Sequence, residues 1–100
     1  MAGQFGPNRT SAASTAVTGA GSASVGTTSA SAVAANEDRI ELFLANDHAT
    51  QVIYLGLGVT AVLNKGIRLA PGAGIVISSF AGAIYAIATG ASTTLTIAEV

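Results

Sequence analysis

From Arg39 onward, apolar side chains recur at every second position, and turn-forming residues cut each run short. Ile40, Leu42 and Leu44 alternate with Arg39, Glu41, Phe43 and Ala45. That period of two assigns one set to a buried face and the other to the outer face of a strand. Asn46-Asp47-His48-Ala49 supplies turn formers, after which Ile53, Leu55 and Leu57 alternate with Val52 and Tyr54. No stretch carries helix start and stop signals over ten or more residues.

The same rhythm continues to Val100. Thr60–Leu63 is a short apolar piece before the turn Asn64-Lys65-Gly66, and Ile67-Arg68-Leu69 is a short strand. Ala70-Pro71-Gly72 suits a type II turn, with Pro at the second position and Gly at the third. Gly74–Phe80 sets Ile75 and Ile77 against Val76 and Ser78, and Ala83–Ala88 sets Ile84 and Ala86 against Tyr85 and Ile87. Ser92–Val100 sets Leu95 and Ile97 against Thr94, Thr96 and Ala98. About six or seven short strands at spacings near 8–12 residues predict an all-β fold, a small antiparallel β-sandwich or barrel.

Residues 1–35 have a different texture. Of these, 26 are Ala, Ser, Thr or Gly, and Arg9 is the only charge. Small side chains bury too little area to offset about 1–2 kcal/mol of backbone entropy per residue. The expected organisation is therefore an extended low-complexity N-terminal arm over 1–35 and a compact β domain over 36–100. An uncharged arm of this kind suits a groove on a neighbour, where backbone hydrogen bonds carry the contact. On this division, removal of the first 35 residues leaves a folded domain. The arm has neither the basic start nor the apolar core of a secretory signal, and Asn8-Arg9-Thr10 matches a glycosylation sequon without a secretory context.

Composition narrows the function. The chain is 50% apolar and 9% charged, with a net charge of −1, no Cys and a single His. Absence of Cys removes disulfides, thiolate nucleophiles and the usual structural zinc sites. Nucleic-acid binding needs clustered Lys and Arg, which are missing. Leu69–Ala98 carries no charge over thirty residues, yet Pro71, Gly72, Gly74, Gly82 and Gly90 interrupt it, and no flanking Trp or basic cluster marks a bilayer span. No membrane partner is expected.

Candidate sites read as structure. Asp47-His48 resembles a base held by a carboxylate, but a turn accounts for both residues. Glu37, Asp38, Glu41 and Asp47 lack calcium-loop spacing, so solvated charge or pairing with Arg39 is expected. The Gly pairs at 19/21, 56/58 and 72/74 lack the rest of a phosphate-binding loop. No catalytic, cofactor-binding or metal-ligating residue is assigned. The expected sites are interface anchors: Phe5, Val17 and Val25 in the arm, and Phe43, Val52, Tyr54, Phe80 and Tyr85 in the β domain. A 60-residue domain buries only about 60% of the surface its unfolded chain exposes. Association, as a homo-oligomer or on a larger assembly, supplies the missing burial.

The chain resembles a family of small virion structural proteins of tailed bacteriophages. The resemblance runs over 36–100, in Asn36-x-x-Arg39 leading into Ile40-x-Leu42-x-Leu44-x-Asn46 and Val52-x-Tyr54-Leu55-Gly56. It continues in Gly66-x-x-Leu69-x-Pro71-Gly72, Ala83-Ile84-Tyr85-Ala86-Ile87 and Leu95-x-Ile97-x-Glu99-Val100. The arm is outside the matched pattern. The resemblance implies a non-enzymatic all-β module of the particle, acting as capsid decoration or cement, with tail, fibre or receptor-binding roles as alternatives. It also implies a place in the virion after synthesis in the host cytoplasm, and as partners other copies of the chain and the major capsid protein or another virion protein.

Overall fold

A computed structural model describes residues 19–100; Phe5 and Val17 lie outside the described residues. Among these residues the chain forms eight strands and no helix: β1 (Gly19–Val25), β2 (Ala30–Val33), β3 (Glu41–Asn46), β4 (Ile53–Leu57), β5 (Ile67–Leu69), β6 (Gly74–Ser78), β7 (Ile84–Ala88) and β8 (Thr93–Glu99). They build two four-stranded antiparallel sheets, ordered β1-β8-β3-β6 and β2-β7-β4-β5. The pairs β1·β8, β2·β7, β3·β6 and β4·β5 are those of one long hairpin whose tip is the β4–β5 connection. Rolling that hairpin once brings β3 against β8 and β4 against β7. The result is the connectivity of a jelly roll, a sandwich of two sheets.

The inward positions of the alternating runs form the core. Leu42, Leu44 and Leu95 of one sheet face Ile53, Leu55, Ile84, Ala86 and Ala88 of the other, all buried. The expected turns are present where local chemistry dictates them. Gly72 has φ +78 and the Ala73 N–H donates to the Ala70 carbonyl at 2.9 Å, as a type II turn over Ala70–Ala73 requires.

Two local expectations are corrected. Ile40 is exposed and Arg39 is buried, the reverse of the alternation. The N–H groups of Ile40 and Glu41 both donate to the Val100 carbonyl. Two residues thus oppose one, a β-bulge, and the alternation slips by one place. The short apolar piece Thr60–Leu63 forms no strand. It belongs to the β4–β5 loop, which folds over the outer face of β4, so closely that a Cβ on Gly56 would run into the Val59 carbonyl oxygen.

The second correction concerns the arm. Residues 19–33 are not outside the β domain. β1 pairs with β8 along its whole length, from Gly19↔Glu99 to Val25↔Thr93, and β2 pairs with β7. Val25 and Val33 belong to the buried core. The domain boundary at Asn36 therefore moves, and the β domain extends from Gly19. Ser and Thr-rich segments of this kind cannot form sheets alone, but neighbouring strands satisfy their backbone groups whatever the side chain.

Candidate interaction surface

The polar residues that drew notice in the sequence are used to hold the fold. Arg39 reaches inward from the bulge, and its side chain is 1% exposed. Its Nε donates to Glu99 Oε2 at 2.7 Å, Nη1 donates to the carbonyls of Phe80 (2.9 Å) and Gly82 (3.0 Å), and Nη2 donates to the Ala34 carbonyl at 2.7 Å. One guanidinium thereby ties together the end of β2, the β6–β7 turn and the end of β8. The carboxylate on Arg39 is Glu99, not one of the acids beside it in sequence.

At the other end of β3, Asn46 is fully buried. Its Nδ2 donates to the carbonyls of Gln51 (2.7 Å) and Leu69 (3.0 Å), and its Oδ1 accepts from the His48 N–H at 3.0 Å. The neighbouring His48 points its Nδ1 at the backbone N–H groups of Thr50 (3.1 Å) and Gln51 (3.0 Å). That geometry makes Nδ1 an acceptor. Asp47 instead takes the Thr96 hydroxyl on β8. Asp47 and His48 are thus committed to separate contacts, Asp47 to β8 and His48 to its own turn, and the arrangement organises the β3–β4 corner. Among the described residues no group of three His, Asp or Glu side chains gathers.

The interface candidates divide by burial. Val25 is a core residue, which corrects its placement as an arm anchor. Tyr54 is buried at 8% beneath the β4–β5 loop, where its hydroxyl donates to Asn64 Oδ1 at 3.0 Å. Phe80 packs partly buried against the core, with its ring close to Gly58 and Gly82. Val52 and Tyr85 are half-buried. Phe43 is the candidate that stands in the open, 40% exposed.

Phe43 sits on the outer face of the β1-β8-β3-β6 sheet. Its cross-strand neighbours are Val76 on β6 and Ala98 on β8. With Ala45, Gly74 and Thr96 they line a shallow groove of ≈360 Å³. Val76 is 51% exposed. Ser22, Ser24, Thr94 and Ser78 complete the face, and Glu41 at the end of β3 is its one charged side chain within the strands. The outward phase of β6 marks Val76 in the sequence. By contrast, the β4–β5 loop exposes Val59, Val62 and Leu63, which no local pattern distinguishes from a strand.

Compared with protein-family models, with curated proteins and with solved structures, the chain matches none.

Proposed function

We propose that this chain is a non-enzymatic structural protein of a bacteriophage particle, stabilising or decorating the capsid through contacts between subunits. The observation that carries this reading is the outer face of the β1-β8-β3-β6 sheet. Its centre is Phe43, Val76 and Ala98, and its surroundings are hydroxyl and methyl groups. Such a face is costly to leave in water and gains by lying against another apolar surface. Hydroxyl-rich flanks accept hydrogen bonds from a neighbour without the desolvation cost of charge.

Two further points support it. The jelly-roll connectivity occurs in viral capsid and lectin domains, an analogy at the level of fold. The residues ahead of β1 lead in sequence to Gly19, which pairs with Glu99 of β8. They are the part of the expected arm that remains to act as an anchor on a neighbouring subunit. The exposed tip of the β4–β5 loop, with Val59, Val62 and Leu63, favours a second reading, a fibre or receptor-binding module.

Particles purified through a density gradient from cells making this chain provide the test. Quantitative mass spectrometry is expected to find the chain at a fixed stoichiometry to the major capsid protein. Phe43→Lys is expected to lose that association while keeping its β-sheet circular dichroism. Absence of the unaltered chain from purified particles sinks the capsid reading, and recovery only with detached tails or fibres transfers it to the alternative.

A further inference from the structure

We propose that β6 is a self-pairing edge, through which two copies of this chain join their β1-β8-β3-β6 sheets into one. This contact rests on the structural role proposed above and names the surface that joins the copies.

The four edge strands differ in how far they are protected. β2 has four residues and a register shift between Ser31 and Val33. β5 has three residues, with Arg68 at its centre. Short length, bulges and charge are the features that keep edges from pairing. β1 is longer but is built from Gly, Ala and Ser with one Val, side chains that make weak cross-strand pairs. β6 reads Gly-Ile-Val-Ile-Ser. It has high β-propensity, no charge, no proline and an unbroken register with β3.

The backbone of β6 is set for a partner. The Asn46 N–H donates to the Ala73 carbonyl, and bonded positions alternate along an antiparallel pair. Ile75 and Ile77 therefore turn their N–H and C=O groups towards β3, while Gly74, Val76 and Ser78 turn theirs to the open edge. Val76 is the middle residue of five. A two-fold axis through it pairs Val76 with the second copy's Val76 and Gly74 with the second copy's Ser78.

The side chains agree with that register. On the inner face, Ile75 is only half-buried at the open edge, and the second copy's Ile77 covers it. On the outer face, the two Val76 side chains meet and the two Phe43 grooves become one continuous apolar strip. Glu41 lies across from Ser78 and bonds to its hydroxyl at 3.2 Å. The two-fold places the two Glu41 carboxylates at opposite ends of the joined sheet, so no like charges are opposed.

The test uses the full chain in a dilution series read by sedimentation. The unaltered protein is expected at twice the 9.7 kDa chain mass. Val76→Pro removes an N–H that faces the open edge and leaves the bonds to β3 intact. It is expected to halve the mass, with dissociation at least about tenfold easier, and to retain the β-sheet circular dichroism. Val76→Cys adds a thiol to a chain that has none. Opposed residues in a bonded pair lie about 5.5 Å apart at Cα, within disulfide reach. With oxidised glutathione as the two-electron oxidant, this variant is expected to form a disulfide-linked dimer, whereas Ser24→Cys on the β1 edge is not.

A monomeric unaltered protein overturns the assignment, as does an oligomer whose mass Val76→Pro leaves unchanged or a Val76→Cys variant that does not cross-link. The particle assay is separate. Copies that join elsewhere and still occupy particles remove the β6 contact alone, and absence from particles removes the structural role even if β6 pairs.

Discussion

The two ends of β3 are each held by one buried polar side chain, and the two differ in what their loss does. Asn46 is neutral, so removing it leaves the Gln51 and Leu69 carbonyls without their donors, a cost of about 1–3 kcal/mol per buried group. Arg39 is a charge, and its removal also breaks the ion pair with Glu99 and takes the donors from three carbonyls. Breaking a buried ion pair from one side costs about 3–5 kcal/mol. Arg39→Ala is expected to lower the unfolding free energy in urea by that amount. Arg39→Lys is expected to recover less than half, because a single ammonium cannot fork to acceptors on three segments. A loss within about 0.5 kcal/mol, the range of an ordinary surface substitution, would show that Arg39 does not clamp these segments.

Among the strands, β1 and β2 connect the low-complexity sequence to the fold. Their removal exposes the flanks of β8 and β7 and takes Val25 and Val33 from the core. Two truncations separate anchor from scaffold. A chain lacking residues 1–18 keeps all eight strands and is expected to unfold cooperatively within about 1 kcal/mol of the full protein. A chain lacking residues 1–35 is expected to lose cooperative unfolding and bind a hydrophobic dye, since each lost Val alone is worth about 1.5–3 kcal/mol of burial. Equal stability of the two truncations would overturn the placement of β1 and β2. The contrast also explains what could be read in advance. The strands β3 to β8 carry Ile, Leu and Tyr in alternation, large enough for the period to register. In Ser22-Ala23-Ser24-Val25 the same alternation is present, but an Ala methyl carries little signal, and the strand exists because β8 offers it a complete ladder. Phe43 and Val76 were legible as outward positions of their strands. Ile40 was not, because its exposure comes from a bulge against Val100, and neither was the cover over Tyr54, which is laid down by a loop ten residues away.

Across the whole molecule, the rolled hairpin makes most strand pairs distant in sequence. β8 lies between β1 and β3, and β7 lies between β2 and β4, so the interior strands of both sheets include the ones nearest Val100. Val25 meets Thr93 and Gly19 meets Glu99, and closing such loops loses chain entropy before any core contact returns it. β4·β5 is the local exception, and its three paired positions are too few for a hairpin stable in water. Folding is therefore expected to wait for non-local pairing and to follow the slow course of all-β sandwiches, in milliseconds to seconds at about 25 °C. Stopped-flow refolding from urea, followed by Tyr54 and Tyr85 fluorescence, measures it. Arg39→Ala should sharpen the result. The Arg39 clamp draws on Ala34, Phe80, Gly82 and Glu99 together, and those segments meet only when the roll has closed. The substitution is accordingly expected to raise the unfolding rate and leave the refolding rate within about twofold. Refolding completed in microseconds would mean that local structure nucleates this chain. A large drop in the refolding rate of Arg39→Ala would place the clamp in the nucleus, with the roll closing around the ion pair instead of the pair locking a roll already formed.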